Sequence, residues 1–123
     1  MARILVVDDE DSVRSFVERA LTLDGHDVAT ACDGADALDV LGREGFELLL
    51  SDIRMPLMDG IALALTAGRD YPDMPILLMT GFADQRERAS DLEALIEDVV
   101  TKPFSLAQIR EAVAGALQAR RAA

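Results

Sequence analysis

Acidic, hydroxyl and amine side chains directly follow short apolar runs at four places in the sequence. These residues are Asp8, Asp9, Asp52, Thr80 and Lys102. If the three carboxylates gather within about 5 Å, each pair repels by roughly 3 kcal/mol at an effective dielectric of about 20. The three carboxylates must then be partly protonated, bind a cation or form ion pairs with the lysine. An oxygen-only, partly open site favours Mg²⁺, which often shares a phosphate with its carboxylates.

A carboxylate in such a site can act as the nucleophile in phosphoryl transfer. Magnesium and Lys102 would together neutralise a phosphoryl group that arrives at Asp52, and Thr80 would hydrogen-bond one of its oxygens. Chemistry of this kind depends on positioning and electrostatics, so the separate segments of sequence must meet in space.

The rest of the sequence explains how they meet, because short apolar runs alternate with amphipathic helical stretches. Strands are predicted at 4–7, 28–31, 48–50, 76–79 and 99–100, and helices at about 11–24, 34–41, 61–69, 84–95 and 105–118. Successive strand–helix units predict a parallel sheet with helices on both faces. The carboxyl ends of parallel strands lie along one edge of the sheet, where ligands bind. The second strand ends near Cys32 without such chemistry and is predicted to be an outer strand.

Composition narrows the classes of partner. A net charge of −11 and an aromatic content of 4% argue against direct nucleic-acid binding and suit a protein partner or a cation. Cys32 is the only cysteine, so no internal disulfide can form and a cytoplasmic location is expected. No apolar run approaches ~20 residues, which argues against membrane insertion.

Four blocks of sequence resemble the receiver domain of two-component response regulators. They occur in the family's order at Val6–Glu10, Ser51–Gly60, Met79–Gly81 and Thr101–Phe104. The resemblance covers essentially the whole chain and predicts a receiver domain over 1–119 with a short C-terminal tail over 120–123. It implies an α/β fold, a flavodoxin-like (βα)5 three-layer sandwich with a parallel five-stranded sheet of order 2-1-3-4-5.

The resemblance also implies a role for each candidate residue. Asp52 is the expected phosphoacceptor, Thr80 the switch hydroxyl and Lys102 the partner of the phosphoryl group. Mg²⁺ is the expected cofactor, and its implied ligands are Asp8 (through water), Asp9, Asp52 and the backbone carbonyl of Arg54. The Lys102–Pro103 bond is expected to be cis, although only ~5–6% of the bonds before proline are.

Partners follow from the same resemblance. A histidine kinase or a phosphotransfer protein would be the phosphodonor. The chain would be a signalling phosphoacceptor rather than an enzyme, and it would assist its own phosphorylation and dephosphorylation. It is expected to act as a single-domain regulator that binds a downstream protein on the face made of helix 84–95, strand 99–100 and helix 105–118. Two segments, Met79–Ala83 and Ala122–Ala123, are similar to the corresponding parts of single-domain regulators that control a protease adaptor in the bacterial cell cycle. Ala122–Ala123 would then serve as a degradation tag.

One departure from the family pattern and two competing functions bear on this interpretation. Val99 occupies the family's aromatic switch position, three residues before Lys102, and Phe82 is a candidate substitute. A phosphatase of the haloacid dehalogenase type would also use Asp52 with Mg²⁺, but it needs a second aspartate where this chain has Arg54. A docking protein with a vestigial site is the other alternative, against which the complete set of acids, threonine and lysine argues.

Overall fold

The computed structural model describes residues 2–81, 89 and 95–122, with side chains as far as 119 in the last segment. The strands are β1 (Arg3–Val7), β2 (Asp27–Ala31), β3 (Leu48–Asp52), β4 (Ile76–Thr80) and β5 (Asp98–Thr101). The helices are α1 (Asp11–Leu23), α2 (Gly34–Arg43), α3 (Gly60–Asp70) and α4 (Leu106–Ala122). The helix predicted over 84–95 lies outside the described residues, apart from positions 89 and 95.

The described strands form one parallel sheet of order β2-β1-β3-β4-β5, which confirms the predicted fold class and the outer position of β2. The register aligns the ends of neighbouring strands. Asp52 lies beside Met79, and Thr80 lies beside Thr101. Polar residues at the carboxyl ends of these strands therefore emerge along one edge of the sheet.

Two apolar clusters, one on each face of the sheet, hold the helices in place. The cluster beneath α2 and α3 includes Leu5 and Leu49, whereas the cluster beneath α1 and α4 includes Ile4 and Leu48. Successive residues of a strand point to opposite faces, and both faces of this sheet are covered. The near-continuous apolar runs in the sequence follow from that burial on both sides.

The element ends differ from the prediction by two residues or more at three places, one of which is the end of α2 at Arg43 instead of 41. β3 continues to Asp52, and α4 continues to Ala122, beyond the expected end at 118. α4 begins just after Ser105, whose hydroxyl accepts a hydrogen bond from the Gln108 N–H at 3.1 Å. The Gln108 side chain in turn accepts from the Ser105 N–H at 2.7 Å, which completes a capping box.

Asp59 caps α3, because its carboxylate accepts a hydrogen bond from the Ala62 N–H at 2.9 Å. We expect Asp59→Ala to lower the free energy of unfolding by about 1 kcal/mol, since a first-turn N–H loses its acceptor. Asp33→Ala removes the corresponding cap of α2 and is a matched comparison, for which we expect a similar loss in the free energy of unfolding. Urea unfolding measures both, and an Asp59→Ala variant as stable as wild type would contradict the assignment.

Candidate functional site

The three candidate carboxylates come together at the predicted edge of the sheet. One oxygen from each of Asp8, Asp9 and Asp52 lies within 4.8 Å of the others. Asp8 has 0% and Asp52 has 5% of its surface exposed, whereas Asp9 is exposed. The loop between β1 and α1 carries the first two aspartates, and β3 ends on Asp52. β1 and β3 are neighbours in the sheet, so their pairing holds the cluster together.

Lys102 contacts two of these acids. Its Nζ atom donates to Asp8 Oδ2 at 3.0 Å and lies 3.1 Å from Asp52 Oδ1. The Lys102 backbone N–H donates to the Thr80 carbonyl at 2.8 Å, which ties the residue after β5 to the end of β4. The bond between Lys102 and Pro103 is cis, as predicted. Lys102 follows β5, the outer strand opposite β2 in the strand order, and its side chain extends from there to the acids.

The electrostatics of this group set the charge of the proposed nucleophile. Burial raises the pKa of Asp52 from 3.8 to about 6, and the negative charges of Asp8 and Asp9 add to the rise, against the opposing effect of Lys102. Burial by itself would lower the pKa of Lys102, but its contacts with Asp8 and Asp52 outweigh burial and raise that pKa. At neutral pH the lysine is therefore a cation, and Asp52 is mostly ionised.

The cluster has the donor chemistry of a site for a small, hard cation. The Lys102 ammonium group contacts only two of the three carboxylates, so a second positive charge would relieve their repulsion. The donors are oxygens alone, and two of the three acids, Asp9 and Asp52, line a cleft of about 310 Å³. Oxygen ligands beside open space suit Mg²⁺, which keeps several of its waters. The residues present thus fit the expected metal.

The remaining predicted residues lie at the same edge. Thr80 is the buried last residue of β4, and Arg54 is exposed and lines the cleft. Val99 is half-buried in β5 and packs against the apolar cluster beneath α2 and α3. Phe82 lies outside the described residues. The metal-ligand role of the Arg54 carbonyl and the switch role of Thr80 stay predictions.

Two contacts that hold the cluster were not anticipated from the sequence. The Asp8 carboxylate accepts a hydrogen bond from the Glu10 N–H at 2.9 Å, and Arg14 donates to the Asp8 backbone carbonyl at 2.6 Å. The only feature of the sequence that could have indicated the Arg14 contact is a basic residue in the first turn of α1. Such a side chain leans back toward the start of its helix, but its spacing alone does not distinguish a buried contact from a solvated arginine.

An apolar groove of about 510 Å³ opens beside the acidic cleft. The rings of Phe16 and Phe104 lie on its wall with their centroids 6.2 Å apart. Glu10, Gly81 and Lys102 line both the groove and the cleft. The two concavities therefore form one continuous surface that runs from the aromatic pair to the acids.

Comparison with known protein families decides what kind of site this is. Residues 4–114 match the family model described as the response regulator receiver domain. The chain belongs to this family. Receiver domains are phosphoacceptor signalling domains of two-component systems, and they are not generally classed as enzymes. Family membership implies a kinase or phosphotransfer partner, and the haloacid dehalogenase alternative finds no support.

Two curated proteins that resemble the receiver domain in sequence are named as regulators. It is 36% identical over 107 residues to the response regulator MprA of Mycobacterium avium, a match that covers 87% of this chain and 47% of MprA. It is 35% identical over 116 residues to the probable transcriptional regulator ycf27 of Porphyridium aerugineum, covering 94% of this chain and 48% of that protein. The receiver domain thus spans about half the length of these curated relatives.

Solved structures support the same assignment. The chemotaxis response regulator CheY4 of Vibrio cholerae matches the receiver domain with a TM-score of 0.86 and 29% identity, over 94% of this chain and 98% of CheY4. Among the described residues, no helix combines the length and the apolar character needed to cross a membrane.

Proposed function

We propose that this receiver domain accepts a phosphoryl group on Asp52 from a histidine kinase or phosphotransfer protein, with Mg²⁺ as cofactor, and signals through phosphorylation-dependent protein contacts. The observation that carries the proposal is the setting of Asp52. Its buried carboxylate lies against Lys102 and beside the aspartate pair, at the wall of an open cleft. A solvated loop aspartate would have neither the lysine contact nor a pKa raised by burial.

Asp52 would supply the nucleophile. One of its oxygens attacks the phosphorus of a phosphohistidine, an O–P bond forms, and the N–P bond breaks with its electron pair passing to the imidazole nitrogen. Because its pKa is about 6, the carboxylate is mostly ionised at pH 7 and able to attack. Lys102 is within 3.1 Å of the attacking group and would pair with the phosphoryl oxygens.

The proposed metal ligands are the predicted ones: Asp8 (through water), Asp9, Asp52 and the Arg54 backbone carbonyl. When bound, Mg²⁺ would neutralise and orient the oxygens of the transferred group. Without a cation, the acid cluster would repel a phosphoryl group, so phosphorylation should require the metal. We also propose that the metal ligands assist the later hydrolysis of the acyl phosphate on Asp52.

The apolar groove supports a protein as the phosphodonor. A partner that packs on Phe16 and Phe104 would bring a side chain along the shared lining at Lys102 to Asp52. A small phosphorylated molecule would use the cleft alone and leave that apolar surface exposed. The groove is therefore assigned to the protein that carries the phosphohistidine.

The proposed output runs from Thr80 into β5. Thr80 pairs with Thr101 across the sheet, so a displacement of Thr80 would act directly on that strand. Val99 has no aromatic ring that could rotate in response to Thr80. The conformational change would therefore be transmitted by the backbone of β5 to the face formed by the predicted helix 84–95, strand 99–100 and helix 105–118. A downstream protein, rather than nucleic acid, is the proposed partner of this acidic domain.

A finer assignment is also part of the proposal. The receiver domain over 1–119, with its tail over 120–123, would work in the cytoplasm. Its sequence similarity over Met79–Ala83 supports control of a cell-cycle protease adaptor. The names of the relatives given above do not mention a protease adaptor, so this pathway rests on sequence similarity alone.

Beryllofluoride, a mimic of the phosphoryl group, tests the proposed output. We expect it to shift the amide NMR signals of Val99, Val100 and Thr101 in the presence of Mg²⁺, because they lie on the strand next to Thr80. Asp52→Asn lacks the attachment point and is the control that should show no such shift. Identical spectra of wild type with and without the mimic would contradict phosphorylation-dependent output.

A further inference from the structure

The Arg14 side chain contacts the backbone of the loop that carries Asp8 and Asp9. Its Nη1 atom donates to the Asp8 carbonyl oxygen at 2.6 Å, while Nη2 pairs with the carboxylate of Asp11. The Arg14 side chain is 18% exposed, whereas that of Asp11 is 90% exposed. Helical side chains lean toward the start of their helix, which lets the arginine reach back over the first turn of α1 to the loop that carries the acids.

The peptide that Arg14 contacts is the one that leads into Asp9. The Asp8 carbonyl and the Asp9 N–H belong to the same peptide unit, which is planar, so a bond to the carbonyl oxygen restrains the whole unit. The Asp8 carboxylate has its own anchors in Glu10 and Lys102. Asp9 is exposed and gains little from packing, so the orientation of this peptide decides where its carboxylate leaves the chain.

We propose that Arg14 is a positioning residue for the metal site: it fixes the Asp8–Asp9 peptide so that the exposed Asp9 carboxylate stays with the two buried ones. The inference rests on the proposed function, because it concerns the ligands of the same Mg²⁺ ion. Hydrogen bonds from a charged donor are roughly twice as strong as neutral ones, which suits the guanidinium to this task. Groups that hold a metal ligand in place typically change metal affinity by about 10–100-fold when they are removed.

Arg14→Met tests the inference, because it keeps most of the aliphatic stem and removes every donor. We expect the dissociation constant for Mg²⁺, measured by calorimetry at pH 7.5, to rise about tenfold. Arg19→Met removes the same charge from an exposed position of α1 and is the matched control, with an unchanged constant. Arg14→Lys should be intermediate, since one ammonium group lacks the fork that reaches Asp8 and Asp11 together.

Amide hydrogen exchange in the metal-free protein gives a second readout that needs no phosphorylation. The Glu10 amide, which donates to the Asp8 carboxylate, should exchange about tenfold faster in Arg14→Met, because its loop loses an anchor. If that variant does not fold, Arg14→Lys provides the same two measurements.

The outcomes separate the two proposals. Arg14→Met with the Mg²⁺ affinity of wild type would overturn the role of Arg14, whether or not its melting temperature falls. A wild-type protein that binds no Mg²⁺ would instead overturn the proposed function and, with it, any part for Arg14 in metal binding. A raised dissociation constant in Arg14→Met, together with an unchanged one in Arg19→Met, supports both.

Discussion

An Asp52→Asn substitution is expected to stabilise the metal-free domain at pH 7 by about 2 kcal/mol, even though it removes the proposed nucleophile. The folded protein raises the pKa of Asp52 from 3.8 to about 6 by burying it beside other acids. Each unit of pKa difference corresponds to about 1.4 kcal/mol, and the pKa of about 6 already includes the opposing contact with Lys102, so the shift sets an upper limit of about 3 kcal/mol. The neutral amide escapes the cost of burying a charge.

The sign of the pH dependence follows from the direction of the shift. A group with a raised folded pKa binds more protons in the folded state, so stability is fully present below the unfolded value and is lost as the pH rises toward about 6. The advantage of Asp52→Asn over wild type should therefore fall by about half at pH 5 and nearly vanish by about pH 3.

Urea unfolding in the presence of a chelator measures this difference. Asp39→Asn, which makes the same charge change at an exposed position of α2, is the control and should be close to neutral at every pH. A wild-type protein that is more stable than Asp52→Asn at pH 7 without metal would show that burial does not strain this carboxylate. Added Mg²⁺ should narrow the gap, because the ion supplies the missing positive charge.

Gly60→Ala is expected to lower the free energy of unfolding by about 3 kcal/mol, at the upper end of overpacking costs. A Cβ atom at this position would lie 2.1 Å from the Asp52 backbone oxygen and 2.8 Å from Ile53 Cα. Both obstacles are backbone atoms, so no side chain can rotate away to make room. The Gly60 N–H also donates to the Ile53 carbonyl at 2.7 Å, which holds the start of α3 against the end of β3.

The effect should extend to the site, because relief of the clash must move the peptide that follows Asp52. Gly115→Ala is the matched control, since a Cβ atom there meets nothing within 4 Å and the residue lies inside α4. That change should stabilise the protein by about 0.5–1 kcal/mol through helix propensity. Equal stability of the two variants in urea unfolding would contradict the close approach at Gly60.

The sequence predicts the sheet and the meeting of the chemical groups well, for a simple physical reason. Alternation of apolar runs and helical stripes requires a parallel sheet, and a parallel sheet brings strand ends to one edge. Asp52 and Lys102 are far apart in the chain, yet a parallel sheet alone predicts that they lie along the same edge. Their contact at 3.1 Å also requires the length of the lysine side chain, because β4 lies between β3 and β5.

Contacts between side chains and loop backbone were beyond the reach of such patterns. The bond from Arg14 to the Asp8 carbonyl and the lack of room at Gly60 depend on the path of two loops, which leave no periodic signal in the sequence. The same is true of the contrast between buried Asp8 and exposed Asp9, which adjoin in sequence and have the same side chain. These details decide how firmly the acids are held.

Intact mass spectrometry after incubation with acetyl phosphate and Mg²⁺ is the most direct measurement of the central proposal, that Asp52 accepts a phosphoryl group with the help of a metal. Wild type and Asp39→Asn should each gain the mass of one phosphoryl group, and a chelator should prevent the gain. Asp52→Asn should stay at its starting mass. An unmodified wild type, or equal labelling of Asp52→Asn, would contradict the account.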